Sequence, residues 1–362
     1  VTPVAGPTLV DVAREAGVSI ATASRVLSGA QHVSESRSRA VRKAIADLGY
    51  RHNAVASALR SQRTETVGLI LPRYTTGFLS ALIESVSAAL DDEGMSLVLR
   101  YSADGDDHDV ATVESMLSRR VDGLIICPPS EDVSRDAIAA AARVPVVQVG
   151  RHIFGDGTDS VGLDDHRATD LLVGSLADGG ARSLVTVGLS PGDPADARRI
   201  AAVRASCELR DVTFVEAITA DAVLAGGVAA ANTLLEGSTS NRAGTAAAAG
   251  AGRGVPRGID VGQHVVDAAI CANDDVAHGL VTVLRLNGVA VPGTLQVASL
   301  LDVSLGEDDD REITTLRHPW PAMGREAVRL LIDALGSAAH ADAGGARRVT
   351  LAPRLLTGRS SR

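Results

Sequence analysis

Only three cysteines, Cys127, Cys207 and Cys271, occur in 362 residues. A sparse, odd set without metal-ligand spacing excludes a disulfide framework and a zinc ribbon. It leaves three small core residues in a reduced, cytosolic setting. Long apolar runs are missing too: no stretch reaches the roughly 18 uninterrupted apolar residues of a membrane span, and the first residues carry no charged leader. Secretion and membrane insertion therefore have no support. Nor does any Ser/His/Asp or Cys/His group have a spacing that specifies nucleophilic catalysis, and His152 near Asp156 and His264 near Asp267 read as surface pairs. The acidic groups at Asp104, Asp106, Asp107 and Asp109, and those from Glu307 to Asp310, depart from the EF-hand pattern and fall in turns where solvated carboxylates are usual. The expectation is a protein without metal or cofactor, and not an enzyme.

What is present is a soluble globular composition, 45% hydrophobic and 22% charged, in a chain long enough for two or three packed units. Its net charge of −9 is unevenly distributed. Residues 1–63 carry nine basic and four acidic groups, a net +5, and the remainder carries −14. A basic head on an acidic body means that only the head is suited to approach phosphate.

The stretch Thr8 to Leu48 reads as three short helices. Thr8 caps a first over about Leu9–Ala16, Ser19 a second over Ile20–Ser28, and Ser34 a third over Glu35–Leu48. Gly17, followed by Val18-Ser19, supplies the turn between the first two, which is a helix-turn-helix signature. Leu9, Val12, Ala13, Val18, Ala23, Val26, Val41, Ile45 and Leu48 recur at spacings that give three helices one shared core. Ile20, Ala21, Thr22 and Arg25 are left facing outward. Short or apolar side chains at a helix N-terminus suit a major groove and its thymine methyls, and a guanidinium takes guanine O6 and N7 together. A three-helix bundle that binds another protein is the plain alternative.

Residues 51–61 contain one or two turns of helix capped by Asn53, too short to be stable alone in water. On DNA such a segment orders against its twin, inserting Leu59 between base steps of the minor groove; otherwise it is a linker. From Thr66 onward, apolar strands without polar alternation follow one another with helices between them, as parallel strands covered on both faces do. Two successive doubly wound sheets are expected. The Gly/Ala/Arg-rich run 237–258 interrupts them as a disordered surface insertion. Its Gly250-x-Gly252-x-Gly254 neither follows a strand nor opens a helix, so it is no phosphate loop.

Taken together, the motifs Thr8-Leu9-Val10-Asp11-Val12-Ala13, Gly17-Val18-Ser19, Thr22-x-Ser24-Arg25-Val26-Leu27, Asn53-x-x-Ala56-x-x-Leu59, Ala272-Asn273-Asp274 and Met323-Gly324 resemble the LacI/GalR family of bacterial transcription regulators over nearly the whole chain. The resemblance implies an all-α helix-turn-helix head with a hinge helix, then a two-lobed, periplasmic-binding-protein-like α/β body of two doubly wound parallel sheets. It implies a cytoplasmic homodimer, most naturally a repressor, on palindromic double-stranded operator DNA. A sugar or nucleoside-like effector would lie between the lobes. A solute-binding protein without a role on DNA is the alternative.

The resemblance also distributes roles. Ile20, Ala21 and Arg25 fall at base-reading positions, Ala56 and Leu59 at the minor-groove hinge, and Thr8, Ser19, Thr22, Ser24, His32 and Asn53 at phosphate or positioning contacts. His52 stands where relatives often have proline. In the cleft, Phe78 and Trp320 are implied as walls, with Arg151, Arg199, Asn273 and Asp302 as polar contacts. Each has a structural alternative: Arg199 pairing with Asp196, Trp320 as core, Asn273 as a helix cap. Gly150 replaces an acidic residue common in relatives, and Ser299-Leu300-Leu301-Asp302 replaces a run ending in two carboxylates, so two strong hydroxyl acceptors are missing. The expected domains are 1–52 (head), 53–63 (hinge and linker), 64–163 with about 292–319 (one lobe) and 164–291 with about 320–362 (the other).

Overall fold

Reciprocal hydrogen bonds between Thr8 and Asp11 start the chain's first helix, α1 (Leu9–Glu15). The Asp11 amide donates to the Thr8 hydroxyl at 3.4 Å and the Thr8 amide to the Asp11 carboxylate at 2.9 Å, a capping box that satisfies two otherwise orphaned donors. The Thr8 side-chain bond, then its backbone bond, hold the Asp11 carboxyl below its usual range. The computed structural model describes residues 7–27, 33–50, 63–72, 78–102, 108–128, 131–151, 153, 157–245, 258–261, 263–303, 311–336 and 345–362. It divides into the units Val1–Thr64 and Glu65–Arg362.

In the first unit, Gly17 adopts φ +62° with nothing within 4 Å of where a Cβ would stand. Backbone conformation, not space, therefore selects glycine there. Ser19 accepts the Thr22 amide at 3.1 Å and so caps α2 (Ile20–Leu27). Ser34 precedes α3 (Glu35–Leu48) without the expected cap bond, its hydroxyl lying 3.3 Å from that of Ser36 instead. Gly49, at φ +61°, closes α3. All nine expected apolar positions meet in one core, joined by Ala16, Ala44 and Tyr50.

The second unit contains two six-stranded sheets of the same plan. The first is built from β1 (Thr66–Leu71), β2 (Ser96–Tyr101), β3 (Gly123–Ile126), β4 (Val146–Gly150), β5 (Asp159–Leu163) and β13 (Arg348–Leu351), in the order β2-β1-β3-β4-β5-β13, all parallel. α4 (Phe78–Asp92) and α11 (Trp320–Gly336) cover one face; α5 (His108–Ser118) and α6 (Glu131–Ala140) cover the other. Successive strand residues point to alternate layers: Leu69 and Leu71 to one, Ile70 to the other. Both layers are apolar, which is why the strands lack polar alternation.

The second sheet contains β6 (Ser183–Val187), β7 (Thr213–Ile218), β10 (Ala268–Cys271), β11 (Gln296–Ser299), β12 (Thr314–Arg317) and β14 (Arg354–Leu356). Its order is β7-β6-β10-β11-β12-β14, with only β14 antiparallel to its neighbour. α7 (Asp165–Asp178) and α8 (Pro194–Glu208) cover one face, α9 (Leu224–Thr245) and α10 (Asp274–Leu286) the other. A small hairpin, β8 (Ile259–Val261) and β9 (His264–Val266), flanks it.

Two expectations need correction. Residues 296–317 belong to the second sheet, not the first, whereas α11 and β13 return to the first lobe and β14 again to the second. A doubly covered apolar strand looks alike in either sheet, so its pattern reveals the strand but not its partner. The supposed insertion also begins as helix, since α9 continues to Thr245; residues 246–257 lie outside the described residues.

Close helix contacts account for two glycine positions. A Cβ on Gly227 of α9 would stand 2.0 Å from the Val276 carbonyl oxygen of α10. One on Gly324 of α11 would meet the Ser85 hydroxyl of α4 at 2.0 Å. The three cysteines are buried and free, and burial pushes the thiols up, Cys127 to about 12 and Cys207 to about 11. None is poised as a thiolate.

Candidate nucleic-acid face and interlobe cleft

The capped start of α2 fixes what the head presents. Ala23 is fully buried and Val26 packs on the same core. The opposite face carries Ile20 at 47% exposure, with Ala21, Ser24 and Arg25 also exposed and Thr22 half-buried. Positions 20, 21, 24 and 25 lie on one side of a helix, so the three candidate base-reading residues share a face. Ser19 and Thr22 hydroxyls lie 2.9 Å apart beside it. Thr8 commits its hydroxyl to Asp11 at 2.6 Å. His32, Asn53, Ala56 and Leu59 lie outside the described residues.

In the body, the cleft begins where β4 ends. Gly150, at φ +83°, turns the chain so that Arg151 reaches from the first lobe to the start of α8 in the second. Its guanidinium is 2.6 Å from Asp193 and 3.5 Å from Asp196. Asp193 also caps α8, accepting the Ala195 and Asp196 amides at 2.9 and 3.0 Å, with Pro194 in the first helical turn. One turn on, Arg199 lies 3.4 Å from both Asp196 and Asp165. Burial alone would lower the Arg199 pKa, but Asp165 and Asp196 outweigh it and hold the guanidinium charged.

These groups flank a cavity of about 530 Å³. Its first-lobe wall is Gly150, Arg151, one face of β5 and one face of β13; its second-lobe wall is the first turn of α7 and the inner face of α8. Of the six expected effector residues, Arg151 and Arg199 line it and share Asp196. The local pairing of Arg199 with Asp196 is present as well.

The others lie elsewhere. Asn273 caps α10 through the Val276 amide at 3.0 Å and donates to the Ala222 carbonyl at 2.9 Å. Asp302, nearly fully buried, is clasped by Arg311 at 3.2 Å and Arg317 at 3.0 Å. Trp320 opens α11 within the first lobe's core, its ring next to Gly150 and 5.2 Å from that of His318. Phe78 opens α4, and its side chain is not among those described.

Sequence reasoning missed Asp193 and Asp165 as partners of the two arginines, and His318. The Asp193-Pro194 pair was the available signal, an N-cap followed by proline at the first helical position. His318 gave none. Its Nε2 lies 3.1 Å from the Leu300 carbonyl, and burial lowers its pKa to about 4. The ring is therefore neutral, with Nε2–H donating. At the end of β11, Asp274 accepts from Ser299, and burial raises its carboxyl to about 6.

An exposed recognition helix in a capped trihelical head, followed by two doubly wound lobes with a charged cavity between them, defines a ligand-responsive DNA-binding regulator. Residues 8–53 match the description "Bacterial regulatory proteins, lacI family". Residues 64–260 match "Periplasmic binding proteins and sugar binding domain of LacI family", and residues 173–361 match a periplasmic binding protein-like domain. The chain belongs to the LacI family. It is 27% identical over 328 residues to catabolite control protein A of Streptococcus mutans, covering 90% of each chain. It is 29% identical over 336 residues to the transcriptional regulator CelR of Thermobifida fusca, covering 90% of this chain and 91% of that one. The lac repressor dimer bound to operator and an anti-inducer superposes with a TM-score of 0.74 at 22% identity, over 98% of this chain and 99% of that one. A CelR–cellobiose complex gives 0.63 at 25% identity, over 98% and 99%. Among the described residues no helix is long and apolar enough to cross a membrane.

Proposed function

We propose that this protein is a cytoplasmic, homodimeric repressor of a palindromic operator, without enzymatic activity, whose affinity for DNA is set by a sugar-like small molecule between the lobes. The observation that carries this reading is the pairing of an outward N-terminal face on α2, bearing Ile20, Ala21 and Arg25, with a cavity walled by both lobes of the body. Ile20 and Ala21 give α2 a shallow apolar tip that admits close approach to thymine methyls. Arg25 supplies a two-pronged donor for guanine. Ala56 and Leu59 complete the footprint in the minor groove, and Ser19, Thr22, Ser24, His32 and Asn53 hold register on phosphates.

Coupling to the effector is a population shift. A ligand that favours one spacing of the lobes favours the spacing at which paired hinge segments order on DNA, and operator binding changes by that difference in affinity. Support comes from Arg151 and Arg199, which lie in opposite lobes yet share Asp196, so a ligand between them acts on both lobes at once. Selection of preferred duplexes from a random pool, followed by titration of Arg25→Ala, tests the reading. The variant is expected to lose about 1–3 kcal/mol on the selected site while keeping its binding to random duplex. Equal affinity of parent and variant for the selected site would remove Arg25 from base reading, and absence of any preferred duplex would remove the proposal.

A further inference from the structure

The chain itself joins the two lobes where β5 passes into α7, β12 into α11 and β13 into β14. Arg151 adds a connection made of side chains. It follows β4 in the first lobe. Its Nη1 donates to Asp193 Oδ1 at 2.6 Å, and its Nη2 lies 3.5 Å from Asp196 Oδ1, both at the start of α8 in the second lobe.

Both sides of this connection are fixed before they meet. In the first lobe, Gly150 at φ +83° sets the direction in which Arg151 leaves β4. A Cβ there would make only ordinary contacts, 3.7 Å from Cys127 and Trp320, so backbone conformation and not space calls for glycine. In the second lobe, Asp193 Oδ1 accepts the Ala195 and Asp196 amides at 2.9 and 3.0 Å, and the positive end of α8 favours its charge. Asp196 is anchored by the Ser190 amide at 3.2 Å. A guanidinium that reaches two carboxylates already in place costs little freedom beyond its own. The side chains of Arg151, Asp193 and Asp196 are 19, 18 and 13% exposed, which shelters them from the screening that leaves fully exposed pairs with little value.

We propose that Arg151 is a latch: its ion pairs with Asp193 and Asp196 hold the lobes at the spacing of this structure through the chain's own charges. DNA affinity then has a setting that ionic strength can move without an effector. Separating the lobes pulls Arg151 away from α8, whereas the pair of Arg199 with Asp165 lies wholly within the second lobe and moves with it. A small molecule that wedges between the end of β4 and α8 has to displace the latch. One that bridges the lobes elsewhere adds to it. The inference rests on the proposed coupling of lobe spacing to operator binding.

Pulsed dipolar spectroscopy on the full chain tests it, with nitroxides at Asp92→Cys in the first lobe and Leu209→Cys in the second, both exposed positions. The native thiols are buried, and dilution into unlabelled chain leaves one labelled copy per dimer. Arg151→Gln, Asp193→Asn and the double variant are compared with the parent. Asparagine caps a helix about as well as aspartate, so Asp193→Asn removes the charge and keeps α8; melting of each variant verifies that it is folded. At about 50 mM sodium chloride, each single variant is expected to lower the share of molecules at the parent spacing, relative to all others, about fivefold. The double variant goes no further, since both substitutions break the same pair. Salt at about 500 mM moves the parent toward the variants and leaves the variants in place. Affinity of Arg151→Gln for the selected duplex is expected to change about threefold or more, in step with the spacing. One distance distribution shared by the parent and all variants, or additive effects of the two substitutions, overturns the latch and leaves the proposed regulator standing. A changed spacing with unchanged affinity for the selected duplex upholds the latch and overturns the coupling on which it rests.

Discussion

The two lobes of the body follow one plan and differ in what their strand ends carry. Strand order and sense agree across five strands of each sheet. In the first lobe the central strands run out into Cys127 and Gly150, both beside Trp320. In the second, β10 leads into Asn273-Asp274, β11 ends at Ser299 with Asp302 just beyond, and β12 ends at Arg317. Ligands of open α/β sheets sit at the carboxyl ends of the strands. At these strand ends one lobe therefore contributes a smooth wall and Arg151, and the other a network of buried charge. The same topology tolerates either, since strand pairing depends on the backbone and the apolar layers, not on what the last residue bears.

That contrast can be broken most forcefully at Asp302. Its carboxylate pairs with Arg311, which is only 6% exposed at its side chain, and with Arg317, and Asp302→Asn removes that negative charge from between two guanidinium groups. A loss of about 3–5 kcal/mol in urea unfolding is expected; a loss below about 1 kcal/mol would mean that Arg311 is supported by other groups. Next in size are the helix contacts. Gly227→Ala in the second lobe drives a methyl into a carbonyl oxygen that cannot move aside, and about 3 kcal/mol is expected. Gly324→Ala in the first lobe meets the hydroxyl of Ser85, which can rotate, so about 1 kcal/mol is expected, reduced further by Ser85→Ala. Equal costs would show that α4 and α11 are as rigidly spaced as α9 and α10.

The finest test is in pH. Asp274 is raised by burial from its usual 3.8 to about 6, so between those values the folded chain holds a proton that the unfolded chain has lost. Stability therefore falls as pH rises through this window. His318 is lowered by burial from 6.5 to about 4; there the unfolded chain holds the extra proton, and stability rises with pH. The two nearly cancel in the parent. Asp274→Asn is expected to uncover a rising profile between pH 4 and 6, and His318→Gln a falling one, each approaching about 1.4 kcal/mol per pH unit. Profiles unchanged from the parent in both variants would remove these two groups as the source.

Much of this architecture was legible. Helix caps at Thr8 and Ser19, the nine core positions of the head and the buried strands of both sheets follow from side-chain period and local hydrogen bonding, which act within a few residues. β5, β14 and α6 were not legible: Asp159-Ser160-Val161-Gly162-Leu163 is too polar at its start to announce a strand, and three residues make too short a signal for β14. Sheet membership of β11 and β12 was misassigned because it depends on where the chain crosses between lobes. Of the residues expected in the cleft, Arg151 and Arg199 line the cavity; that they meet on Asp196 was not legible, since that contact joins residues 45 apart through the turn after β4. Asn273 and Asp302, expected as polar contacts to a ligand, also engage the protein's own groups.

The last edge of each sheet comes from a run of only nine residues, Arg348–Leu351 in the first lobe and Arg354–Leu356 in the second. Beyond it, the Ser360 hydroxyl donates to the Val297 carbonyl and the Arg362 amide to Gln296. During synthesis, then, neither lobe can be finished before the other: both wait for the same late stretch to leave the ribosome. A stop codon or proteolytic cut just before Arg348 would strip an outer strand from both halves at once, leaving two bared sheet margins on a single molecule.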